Sequence, residues 1–186
     1  MEKEQLALTR SRGPALSIVE GFTLLEVIVA IFVMAIGIGG VFGFLQQTIF
    51  LGPILGNQLM ASYLAQEGVE IVRNIRDTNY VRIAGGGAGT WTDGGLATCS
   101  GGCEADYNDL SLASAGSPLQ FLKVVSDVSG TRYQYGASGT STPFQRKITV
   151  TPSGAPINVK VEVLWQEKGN SRSFVVDTFL YNWAGF

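Results

Sequence analysis

The chain has 186 residues, room for one domain plus a membrane helix, and 13 basic against 15 acidic side chains give it a net charge of −2. That balance provides no basic field and argues against a dedicated nucleic-acid surface. Histidine is absent, which removes the commonest general base and the commonest metal ligand, and 24 glycines with only 15% charged residues point to turns, loops and strands.

Met1 to Gly21 begins polar and carries Lys3, Arg10 and Arg12 against Glu2, Glu4 and Glu20, so the charge stays at −2 without it. Phe22 to Val72 has no Lys or Arg. The positive-inside tendency then places the N-terminus in the cytoplasm and exports the remainder. From Val27 to Leu45, 19 consecutive residues have no charge and no side-chain amide or hydroxyl. At about 1.5 Å per residue they nearly cross a hydrocarbon core of about 30 Å, and extension to Phe22 and Phe50 completes the span. Glu26 is the anomaly, since a central acidic residue costs roughly 2.5–3.5 kcal/mol on insertion scales, less near an interface, and normally has a partner or a function. A secretory signal peptide does not fit, because Leu45-Gln46-Gln47-Thr48 offers no small-x-small cleavage site. A plain anchor leaves Glu26 and Gly21 unexplained.

Gly21-Phe22-Thr23-Leu24-Leu25-Glu26-Val27-Ile28-Val29-Ala30 resembles the N-terminal signature of type IV pilins and pseudopilins. The resemblance implies cleavage at Gly21-Phe22 by a prepilin peptidase and N-methylation of Phe22. It also implies that Glu26 pairs in a filament with the terminal amine of a neighbouring subunit, two charges in an apolar bundle satisfying each other. The residues before the cut, Ser17-Ile18-Val19-Glu20, depart from the basic residues common there. Residues 1–21 are thus expected to be a cleaved cytoplasmic leader, and 22–52 the transmembrane and assembly half of a long helix. Gly37, Gly39, Gly40 and Gly43 cluster in that half, each costing a helix interior about 1 kcal/mol. They suit either close packing of small residues or a segment that loosens on assembly.

Residues 53–80 read as the amphipathic half. Pro53 removes one backbone bond if the helix continues through it. Leu59, Met60, Tyr63, Leu64, Ile71, Val72 and Ile75 recur at helical spacing, and Ala61, Ala65 and Gly68 form a small-residue row that a sheet can approach closely. Glu70 with Arg73, and Arg73 with Asp77, are helix-surface pairs.

Residues 81–118 form a Gly-rich loop region. Its glycines lack the lysine spacing of a phosphate loop. Cys99 and Cys103, separated by Ser100-Gly101-Gly102, read as a disulfide in an exported domain. Zinc would need two further ligands, and the spacing is not that of a redox enzyme. Glu104, Asp106, Asn108 and Asp109 are alternating oxygen donors, a weak calcium candidate that lacks the EF-hand glycine and terminal glutamate and is better read as a solvated turn.

Residues 119–186 read as an antiparallel sheet. Phe121–Val125 and Thr131–Tyr135 flank a turn, and Phe144–Thr151 leads through Pro152–Pro156 into the clearest strand. There Ile157, Val159, Val161, Val163 and Trp165 alternate with polar neighbours. Lys168-Gly169-Asn170-Ser171 is a tight turn. Ser173–Trp183 is apolar on both faces and is expected to be central or covered. The fold class is therefore α+β, a long N-terminal helix packed on a C-terminal antiparallel sheet, similar to the pilin architecture.

Leu64-Ala65-Gln66-Glu67-Gly68-Val69-Glu70-Ile71-Val72-Arg73-Asn74-Ile75-Arg76-Asp77, with Thr178-Phe179-Leu180-Tyr181-Asn182-Trp183, is similar to minor pilins of the pilus-modification V type. The resemblances imply a structural subunit of a type IV pilus or related filament. Its partners would be the prepilin peptidase, other pilin or pseudopilin subunits, an inner-membrane assembly platform and, before assembly, membrane lipid. Neither a cofactor nor a small-molecule substrate is expected, and an enzyme is not, since no Ser/His or Cys/His pair exists. The location implied is the bacterial inner membrane, then an extracellular filament or a periplasmic pseudopilus. The alternatives are a minor pseudopilin of a type II secretion system and an unprocessed single-pass membrane-anchored binding module.

Overall fold

The computed structural model describes residues 21–128, 130–152 and 156–185. The leader expected over 1–21 therefore lies outside the described residues except for Gly21, as does the centre of the loop expected over 152–156. The chain divides between Thr48 and Ile49 into two compact units. One helix, α1 (Leu24–Ala84), contributes to both and runs through Pro53, whose missing N–H leaves the Ile49 carbonyl without its usual helical donor.

In the second unit the seven strands are β1 (Cys103–Glu104), β2 (Ala113–Ser114), β3 (Phe121–Asp127), β4 (Gly130–Gln134), β5 (Thr140–Thr151), β6 (Ile157–Glu167) and β7 (Asn170–Leu180). All pairings are antiparallel, and β5 is the hub. On one side of β5 lie β3, with β4 beyond it, and β1, with β2 beyond it; on the other side lie β6 and then β7. The short β1 and β2 come from the stretch read as loop.

The inward positions follow the period of two. Phe144, Arg146, Ile148 and Val150 of β5, and Ile157, Val159, Val161, Val163 and Trp165 of β6, are all buried. Ala61, Leu64, Ala65, Val69, Val72 and Ile75 of α1 cover them. The buried helix face is rotated from the stripe that the apolar residues suggest: Leu59 and Tyr63 are exposed, and the small-residue row is the contact line. At Gly68 a Cβ would stand 2.8 Å from Val161 Cγ1 and 3.1 Å from Arg146 Cδ, so only glycine lets helix and sheet come this close. On the outer face of α1, Arg73 meets Glu70 at 3.5 Å, while Asp77 is taken by Arg76 at 2.8 Å.

β7 corrects the expectation of a central strand. It pairs with β6 alone and alternates between half-buried Phe174, Val176 and Thr178 and exposed Ser173, Val175, Asp177 and Phe179. Apolar side chains on both faces record only that one of them is left to solvent. The β6–β7 connection is a two-residue turn with φ of 50° at Lys168 and 81° at Gly169, the mirror-image geometry that matches strand twist.

Candidate assembly site

The helix begins at Thr23. Its hydroxyl accepts from the Glu26 N–H at 3.3 Å, and its carbonyl accepts from Val27 N–H at 3.2 Å. This is an N-cap, and the Thr23-x-x-Glu26 spacing is the sequence signal of one. Capping uses the backbone of Glu26 and leaves its carboxylate over. Among the described residues that carboxylate makes no hydrogen bond or ion pair.

Around it, everything apolar faces outward. Phe22 is 80% exposed, and every residue from Gly21 to Ile49 is exposed. No other chain atom lies within 4 Å of a Cβ placed on Gly37, Gly39, Gly40 or Gly43, apart from the helix's own backbone. Nothing in the first unit thus requires these glycines, in contrast to Gly68. By length and composition α1 is able to cross a membrane. Gly21 and Phe22 immediately precede this apolar helix and Glu26 lies in its first turn.

The remaining residues singled out in the sequence lie in the second unit. Cys99 and Cys103 are joined as a disulfide with both residues buried, and Val150 N–H donates to the Cys99 carbonyl at 2.9 Å. The bridge holds the loop against β5. The acidic set is not gathered round a common point. Glu104 Oε1 accepts from Gln120 N–H at 2.9 Å, Asp106 Oδ1 from Tyr135 N–H at 2.7 Å, and Asp109 Oδ2 from Asp106 N–H at 2.8 Å. Burial pushes the Asp106 carboxyl above its ordinary range, against the lowering effect of the Tyr135 N–H. Among the described residues no group of three or more His, Cys, Asp or Glu is placed to hold a metal ion.

Two constellations had no counterpart in the sequence reading. Arg146 is fully buried and donates to Glu67 Oε2 at 3.0 Å, Leu64 O at 3.3 Å and Ala105 O at 2.8 Å, tying helix, central strand and loop together. Tyr135, whose hydroxyl donates to the Arg146 carbonyl, is pushed up to about 12 by burial. At the far end of α1, Arg82 Nη2 meets Asp93 Oδ2 at 2.6 Å and Asn79 Nδ2 donates to Asp93 O at 2.9 Å. Tyr80 packs on Trp91 and Trp183, its hydroxyl 3.0 Å from Asn182 Oδ1.

The prokaryotic N-terminal methylation motif matches residues 17–42, a span that contains Gly21, Phe22, Glu26 and most of the exposed rod. The chain carries the type IV pilin and pseudopilin signature. No curated protein and no solved structure matches it. Such a signature implies processing by a prepilin peptidase and assembly with other pilin subunits, and it points to a structural role. Together with one long apolar N-terminal helix, an antiparallel sheet gives the α+β arrangement of a pilin-like fold.

Proposed function

We propose that this protein is a minor-pilin-like structural subunit of a type IV pilus or related filament. It enters the inner membrane with its N-terminus in the cytoplasm, is cut between Gly21 and Phe22, is N-methylated on Phe22, and is drawn into the filament by packing of its apolar helix. The carrying observation is the Glu26 carboxylate, without a partner among the described residues, in the first turn of the exposed apolar half of α1 and four residues beyond the cleavage point. A carboxylate at this depth is expensive alone and tolerable beside a cation. Cleavage creates one, the Phe22 amine, on every neighbouring copy. The helix N-terminus adds a favourable dipole contribution of a few tenths to about 1 kcal/mol, too small to replace a counter-ion.

A minor pseudopilin of a type II secretion system would use the same N-terminus, and immunolabelling of sheared surface fibres separates the two. An anchored binding module would keep its leader. The decisive experiment is N-terminal sequencing with intact-mass measurement on protein from membranes and from fibres. N-methylated Phe22 as the first residue is expected; a mature protein still starting at Met1 rejects the filament reading. Glu26→Ala should be cleaved normally and incorporated poorly, and wild-type incorporation of that variant would remove the pairing argument.

A further inference from the structure

We infer that β7 is an acceptor edge, completed in the assembled state by an extended strand from a neighbouring filament subunit. The inference rests on the filament reading for the identity of the occupant.

The backbone bonds show which groups are open. In β5 the Val150 N–H and the Arg146 carbonyl are engaged on the side away from β6, by Cys99 O and the Tyr135 hydroxyl. Even-numbered residues of β5 therefore face away from β6, and odd-numbered ones bond their even-numbered partners in β6. The odd-numbered residues of β6 consequently bond the even-numbered residues of β7, as the two-residue turn closing at Glu167 and Asn170 also requires. What remains on the outer margin of β7 is the N–H and C=O of Ser171, Ser173, Val175, Asp177 and Phe179. Among the described residues none of these ten groups has a backbone partner.

Sheets usually protect such a margin with a short strand, a bulge, a proline or a lysine. On the opposite side β4 has five residues and β2 has two. β7 has eleven, in unbroken register with β6, with no proline and no lysine; its charges are Arg172 and Asp177, and between and beyond them it presents Val175 and Phe179 to solvent at 40% and 55% exposure.

The second observation lies under the same edge. A cavity of about 600 Å³ opens between α1 and β7, lined by Tyr63, Gln66, Glu67, Glu70, Arg73 and Val176 among others. Inward side chains of an added strand would enter it. Three carboxylates, Glu67, Glu70 and Asp177, line it against the one guanidinium of Arg73; Glu67 also serves Arg146 and Glu70 pairs with Arg73, so the surplus negative charge lies at Asp177 on the β7 margin and favours a cation there. The occupant is accordingly an extended segment with apolar residues at alternate positions and a Lys or Arg beside Asp177, the pattern of strand addition to a sheet edge.

The test compares amide hydrogen exchange of the full chain in detergent with that in sheared filaments. Strand addition slows exchange about tenfold or more at Ser173, Val175 and Asp177, while Phe174 and Val176, already bonded to β6, change little. Equal exchange of the odd-numbered amides in the two states overturns the inference, as does protection of odd and even positions alike. Val175→Pro removes only an outward N–H and should lower incorporation several-fold with the detergent-state exchange of β6 unchanged. Val175→Lys, which keeps the N–H but guards the margin, should do the same if the proline variant misfolds. Wild-type incorporation of a folded variant rejects strand addition while leaving the processed N-terminus intact. A chain that never leaves the membrane rejects the filament reading itself, and the occupant with it.

Discussion

Arg146 Nη1 lies 3.0 Å from Glu67 Oε2, joining the middle of the central strand to the middle of the helix, with the arginine side chain wholly out of solvent and the glutamate about 30% exposed. The other guanidinium bonds go to main-chain carbonyls of α1 and of the loop after β1, so one side chain fixes three segments. Its Nε is buried and has no hydrogen-bond partner among the described residues.

Arg146→Ala should therefore destabilise the second unit by about 3–5 kcal/mol, because two carbonyls and a carboxylate lose their donor and a cavity opens. Arg146→Met, which keeps the volume, should recover part of that loss. Thermal unfolding of both variants in detergent checks the order.

Gly68→Ala should cost about 1–3 kcal/mol through overpacking against Val161, outweighing the roughly 1 kcal/mol gain in helix propensity. Gly56→Ala, where no atom would meet the new methyl group, should change stability in the opposite direction. Paired melting curves decide.

Asp93 is held below the usual carboxylate range first by the Arg82 side chain and then by the Thr90 hydroxyl and N–H. A carboxylate depressed by folding stabilises at neutral pH and loses that contribution as pH falls through its folded value. Acid titration should thus loosen the 85–95 segment, followed by Trp91 fluorescence, before the sheet melts. Asp93→Asn should show the loosened state already at neutral pH.

Thr23→Ala should fray the first turn, a loss of about 1 kcal/mol, without changing the charge that Glu26 presents. Glu26→Gln should leave the turn intact and impair incorporation. Hydrogen exchange of the first turn, measured beside fibre incorporation, separates the capping role from the pairing role.

The sequence was most informative where one physical demand acts alone. The apolar run, the alternation in β6 and the Lys168–Gly169 turn each answer to a single requirement, and each stands where the pattern puts it. Arg146 was illegible because a charged residue between Gln145 and Lys147 reads as solvated until its carbonyl acceptors are in place. β7 was misjudged for a related reason: apolar content reports what a strand is able to bury, while its neighbours decide whether it does so. Leu59 and Tyr63 fell outside the buried face because the small-residue row, not the bulkiest side chains, sets how closely the helix approaches. At the N-terminus Glu26 stood out by its charge alone; the Thr23 cap on its N–H came only with the structure, and a partner supplied by another molecule leaves only an unsatisfied group behind.

The packing of Trp183 on Tyr80 has a practical corollary for degradation. A protease nick behind Leu180 would leave every rung of the sheet in place yet release the clasp on the final helical turn. Clipped molecules should therefore retain their circular-dichroism spectrum while their indole emission shifts to the red, which makes tail loss detectable in purified material before any change in mass is sought.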